Sequence, residues 1–289
     1  MAEIIKDSLG LCQAVSPTEA RTLHKFGVPT MRGVLYQQST DDYGNQIFKK
    51  VGENTVVIGG AIQALEYLFG EKMVFSVPTL NEQFNVNNGS NIIYNERDSV
   101  IKCFGVGTGG APLDFSTPYD EDFKQKCIKD WIPFRISDTE TLDAENAYQY
   151  YFRRKIADDP TPQYGWFLKE FEKTPSLKCL WKDASEDNTD GTEITADVSD
   201  SENTNEIECF GECQIKINKN DIRPYFEWRG ELPYARFNTI SLVSGVKKLI
   251  STGYYDYVGA RIFSVINIDN VSVKLPSELT YLYRVYTSV

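Results

Sequence analysis

Five runs rich in β-branched and aromatic residues fill the last third of the chain, and they narrow its fold more than any other feature. Ile207 to Ile217 alternates Cys209, Gly211, Cys213, Ile215 and Ile217 along one side. Ala235 to Val243, Arg261 to Ile268, Val271 to Leu275 and Leu279 to Tyr286 follow, with a turn expected at Asp269-Asn270. Strands at this spacing, separated by Asn, Asp, Gly and Pro, predict an antiparallel β-sandwich, jelly-roll-like, with a few peripheral helices. A content of 13% aromatic residues, with 17 Tyr and 16 Phe, suits packing on pleated surfaces.

The earlier part of the chain mixes both periods. Ser16 and Glu19 make a capping box with Pro17 at the first helical position, which predicts a short helix carrying His24 in its last turn. Val34 to Gln38 reads as a strand and Asp41 to Asn45 as a turn before Gln46-Ile47-Phe48. Within Glu53 to Gly70, Ile58, Ala61, Ile62, Leu65, Leu68 and Phe69 share a helical face, and Gly70 is placed to stop the helix. Glu140 to Ala157 also reads as a helix, rich in Tyr148, Tyr150, Tyr151 and Phe152, with Arg153, Arg154 and Lys155 in its last turn. Tyr164 to Phe171 fits either a strand or a helix, and the strand is preferred. The expected division is an N-terminal helical or docking segment over 1–75 and a β-sandwich domain over 76–289.

Gly105, Gly107 and Gly110 give the spacing G-x-G-x-x-G within Phe104 to Pro112. A dinucleotide loop needs a strand before these glycines and a helix after them, so that the pyrophosphate meets a helix N-terminus. Ser99 to Phe104 supplies the strand. Pro112 and Pro118 stand where the helix should open, and no acid closes a second strand about 20 residues on. Gly105, Gly107, Gly109 and Gly110 are therefore expected in a structural turn at a strand exit, where positive φ or close backbone approach is required, and no cofactor is expected.

Charge and residue counts restrict the chemistry further. The 289 residues carry a formal charge of −11. Nine acids and no Lys or Arg lie between Asp183 and Glu206, leaving about −2 for the rest. This segment is expected to be a flexible, solvated insert. Glu186, Asn188, Asp190, Gly191 and Asp197 only partly imitate a calcium loop, since Glu stands at its first position and Asp at its twelfth. No basic stripe offers a nucleic-acid groove, and no apolar run approaches the length of a membrane-spanning helix. Met1 to Leu11 lacks the apolar core of a secretory signal.

The single histidine, His24, restricts triad chemistry, and its expected role is to complement a helix dipole. Six cysteines occur without a C-x-x-C; Cys209 and Cys213 are the closest pair, and buried thiols are expected rather than a metal site.

The order of these blocks resembles virion structural proteins of tailed bacteriophages: neck, collar, head–tail connector or tail-associated β-sandwich proteins. The resemblance rests on Asn54 to Gly60 heading a helix and on the strand entering Phe104 to Ala111. It rests also on Ala235 to Gly245, on Arg261 to Asn267, and on the closing strand Leu279 to Tyr286. It covers about two thirds of the length and leaves out the acidic insert. It implies a non-enzymatic particle component, assembled in the host cytoplasm, with other virion proteins as partners and a homo-oligomeric state.

Tyr254, Tyr255, Tyr257, Tyr281, Tyr283 and Tyr286 are the candidate interface. Tyr281 and Tyr283 share one strand face and Tyr286 takes the other. Two other readings compete. A carbohydrate- or receptor-binding module of a phage fibre would gather Trp166, Trp181 and Trp228 on one face. A glycosidase-like enzyme would use Glu227 and Glu231.

Overall fold

The computed structural model describes residues 30–40, 43–55, 58–71, 79–83, 86, 92–108, 131–143, 146–158, 160–181, 207–251 and 253–288. They form a β-sandwich of two antiparallel sheets. One sheet has five strands in the order β2 (Gln46–Thr55), β1 (Thr30–Thr40), β12 (Leu279–Ser288), β9 (Ile207–Ile217), β8 (Ser176–Trp181). The other runs β11 (Tyr254–Ser272), β10 (Arg236–Ser251), β3 (Val100–Gly107), β7 (Gln163–Glu170), β5 (Arg135–Ser137). In addition, β4 (Trp131–Ile132) pairs with β3, and β6 (Tyr150–Ala157) pairs with β7.

Period two explains which residues meet. Leu35, Cys213, Ile215, Tyr281, Tyr283 and Val285 face inward from the five-stranded sheet. Phe104, Val106, Phe237, Ile240, Leu242, Phe263 and Ile266 face them from the other. The Phe237 and Tyr281 rings meet edge to face at 6.4 Å across this layer, and the Tyr283 hydroxyl hydrogen-bonds the Ser264 hydroxyl. A second apolar layer holds Cys103, Tyr151, Tyr257, Ile262 and Val265 on the far side of the seven-stranded sheet, with Leu80 of the short helix α2 (Leu80–Gln83) against it.

Helix α1 (Ile58–Phe69) is where its periodicity placed it, and Gly70 ends it at φ 68°, its N–H donating to the Glu66 carbonyl at 2.9 Å. The helix begins later than expected because β2 stays paired with β1 as far as Arg32 opposite Thr55. Gln63 accepts from the Ser244 hydroxyl at 2.5 Å and Glu66 pairs with Arg261 at 3.5 Å, fixing α1 to β10 and β11. Ile62 is buried, whereas Leu65, Tyr67 and Leu68 are exposed.

Three expectations are corrected. Residues 30–55 are not a helical docking segment: β1 lies between β2 and β12, and Leu35 belongs to the central core, so position 75 does not divide the described residues into separate units. The helix expected over 140–157 is a turn at Asn146–Gln149 followed by β6. Its aromatic rings pair across to β7, with Tyr151 opposite Leu168 and Tyr150 opposite Lys169, and this tertiary pairing overrides local helical preference. Asp269-Asn270 is not a turn between strands. β11 runs through it as an irregularity in the pairing, where the Asn238 side-chain amide on β10 donates to Asn270 Oδ1 at 3.0 Å.

Candidate functional site

The six tyrosines are placed by the strands that carry them, and most are used inside the molecule. Tyr281 and Tyr283 lie on the inward face of β12 and are fully buried between the sheets. Tyr286 takes the opposite face, as period two requires, and is buried with Val34, Leu180 and Phe210. Tyr257 is buried in the outer layer, its ring edge-on to Tyr151 at 5.2 Å. Tyr254 is half-buried and donates to Asp256 at 2.8 Å. Tyr255 alone of the six is exposed, at 39%. The aromatic-interface expectation is thus corrected. Tyr257 is covered by the outer layer that includes Tyr151 and Leu80, Tyr286 packs against neighbours in its own sheet, and burial pushes the Tyr257, Tyr281 and Tyr283 phenols well above their usual range.

The glycines are also corrected. Gly105 and Gly107 lie within β3, paired with Ser241 and Thr239 of β10, and form no turn. Close approach is the operative reason at Gly105, where a Cβ would sit 3.0 Å from the Trp131 ring. Gly109, Gly110 and Pro112 fall outside the described residues, as do His24 and the acidic segment.

Two buried carboxylates, neither marked by the sequence pattern, organise the polar chemistry. Asp221, in the turn after β9, accepts from Tyr150 Oη at 2.6 Å, from the Asn218 N–H at 2.8 Å and from Lys169 Nζ at 3.0 Å, and pairs with Arg135 at 2.7 Å. Lys169 is fully buried on β7 and also donates to the Lys216 carbonyl at 2.8 Å. Burial lowers its pKa, opposed by Asp221. The group therefore joins β5, β6 and β7 to the turn after β9 across the end of the sandwich.

Asp256 on β11 accepts from the Phe152 and Tyr257 N–H groups, both at 2.8 Å, and from Tyr254 Oη. Desolvation raises its carboxyl to about 6 despite these donors. Among the described residues, the two non-glycine residues with positive φ sit against these acids: Ile222 (φ 70°) follows Asp221, and Phe152 (φ 64°) gives its N–H to Asp256. A bulky residue in the left-handed region costs of order 1–3 kcal/mol and persists only where its surroundings hold it. Asp256 supplies such a hold for Phe152, and the Phe134 carbonyl, accepting the Ile222 N–H at 3.0 Å, supplies it for Ile222.

The remaining candidates are resolved individually. Trp166 is buried in the central core while Trp228 is 43% exposed on α3 (Arg223–Trp228), so a shared platform of the two is absent. Glu227 is bonded to Arg223 and Glu231 to Arg229, each at 2.8 Å, as ordinary surface ion pairs. Cys103 and Cys213 are buried, with the Cys213 thiol pushed up to about 12 by desolvation. Cys179 is half-buried and Cys209 exposed, which corrects the expectation of buried thiols. No group of three or more His, Cys, Asp or Glu among the described residues is arranged to hold a metal.

No protein-family model, no curated protein and no solved structure matches the chain.

Proposed function

We propose that the chain is a structural component of a tailed-bacteriophage particle, acting through assembly contacts with other virion proteins and with copies of itself rather than through catalysis. The reading rests on the sequence blocks that resemble such proteins, and one observation supports it: four of the five blocks are neighbours in space. Phe104 to Gly107 on β3 pairs with Thr239 to Leu242 on β10. β10 pairs in turn with Arg261 to Asn267 on β11. The closing block faces them through Tyr283 against Ser264. These four blocks therefore form one contiguous part of the sandwich. Within the particle, the neck, collar or head–tail connector is the proposed place. The fibre receptor-binding alternative loses its motive with Trp166 in the core.

Density-gradient purification of particles, followed by mass spectrometry, tests the proposal. The chain is expected in purified virions at a fixed copy number and missing from particles made when its gene carries a nonsense mutation. Full infectivity without the chain, together with its absence from purified particles, would sink the reading.

A further inference from the structure

Cys209 has Cys213 as its nearest cysteine in sequence, but the fold gives it a different neighbour. In the antiparallel pairing of β8 with β9, Cys179 is directly opposite Cys209, between the pairs Lys178–Phe210 and Leu180–Glu208. Directly opposed residues of antiparallel strands have Cα atoms about 4.5–5.5 Å apart. A disulfide needs about 4.4–6.8 Å with side chains on the same face, which opposition guarantees. Both residues are thiols here; Cys179 is half-buried and Cys209 exposed. Two positions before Cys179 on the same face, Leu177 is 90% exposed, so this part of the strand is open to water and to a small oxidant. Among the described residues β8 is the outermost strand of its sheet, paired on one side only.

We propose that Cys179 and Cys209 form a redox-responsive dithiol, and that its oxidation staples edge strand β8 to β9 and closes the intervening chain into a covalent loop. The oxidant is a low-molecular-weight disulfide. The thiolate of one cysteine attacks it, forming a mixed disulfide and releasing one small thiol. The second cysteine's thiolate then attacks the protein-side sulfur, forming the Cys179–Cys209 bond and releasing the second small thiol. The two thiol protons end on the two released thiols, and two electrons pass from protein to oxidant. Cys103 and Cys213 take no part, being buried away from the reagent. The acids of residues 183–206 lie between the paired cysteines in sequence, so a cut after Glu or Asp there places β8 and β9 on different fragments, which only a Cys179–Cys209 bond keeps joined on denaturation. The inference does not depend on the proposed place of the chain in a particle.

The test is titration of the folded full-length protein with oxidised glutathione. Acid quenching and alkylation follow, then peptide mapping and, in parallel, limited digestion with a glutamyl endopeptidase on a non-reducing gel. The expected result is a Cys179–Cys209 cross-linked peptide appearing before any other linkage. Fragments cut between the two strands should run as one band until reduced. Cys179→Ser and Cys209→Ser should each abolish the band, and Cys213→Ser should retain it. Alkylation of both cysteines as thiols at excess oxidant would overturn the proposal. So would glutathione adducts that never resolve, or linkage of either cysteine to a different one. The map of the unsubstituted protein decides the matter even if a serine variant fails to fold.

Discussion

A carboxyl group shut from water but bonded to two amides and a phenol is pulled in both directions, and at Asp256 the loss of hydration prevails, raising it to about 6. The sign of the consequence follows from proton counting. Between the unfolded value near 4 and about 6, the folded chain holds a proton that the unfolded chain has released. Stability therefore falls as pH rises through this window, by up to about 3 kcal/mol for a shift of about two units. Asp256→Asn should remove that slope, because its amide keeps an acceptor for the Phe152 and Tyr257 N–H groups and can donate to Tyr254. Asp256→Ala should flatten the slope as well, but it leaves both N–H groups buried and unpaired and should be less stable than Asp256→Asn by about 2–4 kcal/mol at every pH. Urea denaturation of the three proteins from pH 4 to 8 checks this; an unchanged slope in the Asn variant would show that Asp256 does not titrate there. None of this was legible in Tyr254-Tyr255-Asp256-Tyr257, since the amide that completes the site belongs to Phe152, 104 residues away. The glycines were half legible: close backbone approach was foreseen, but a ring supplied from Trp131 cannot be read from Phe104 to Pro112.

At the scale of elements, period two was readable wherever a strand has a face packed on the core, as in β9, β10 and β12. It failed at β6, where Tyr150, Tyr151 and Phe152 are consecutive and all buried because apolar layers lie on both sides of the sheet. Continuous apolar runs look alike in a strand and a helix. The same double burial places Lys169 on β7 beyond reach of water and makes Asp221 its necessary partner. Asp221→Ala should destabilise by about 3–5 kcal/mol, since it strands a buried ammonium. Adding Lys169→Met should recover part of that loss, the stranded charge being gone. Additive costs in the double variant, measured in urea, would show that the two residues do not act as a pair. A second expectation concerns the hairpin of β8 and β9, in which Trp181 is directly opposite Ile207. Strand ends in that register can be joined by a two-residue Asn-Gly turn. Replacing residues 182–206 in this way should leave the melting temperature within a few degrees, and a loss of cooperative melting would assign the acidic segment a part in the fold.

The molecule as a whole is closed by strands from its two ends. β1 lies between β2 and β12, so the final strand completes its sheet only with a strand from the first 40 residues beside it. Thr30 to Gln38 pairs with Ser288 to Thr280, and Leu35 enters the central core beside Tyr281 and Tyr283. Pairings of this sequence separation leave no local signature. For that reason the sequence suggests a separate segment over 1–75, whereas β1 and β2 of that stretch are built into the five-stranded sheet. A fragment spanning residues 76–289 would expose one whole edge of β12 and uncover part of the inter-sheet layer, leaving inward rings such as Tyr283 open to water. It should fail to give a cooperative thermal transition and should aggregate. Supplying residues 30–55 as a separate peptide, which restores β1 and β2, should rescue at least part of the transition. Circular dichroism and light scattering on the fragment, with and without the peptide, distinguish the outcomes. A fragment that melts cooperatively at the temperature of the full chain would mean that β1 and β2 are an appendage, and that the sandwich is complete without them.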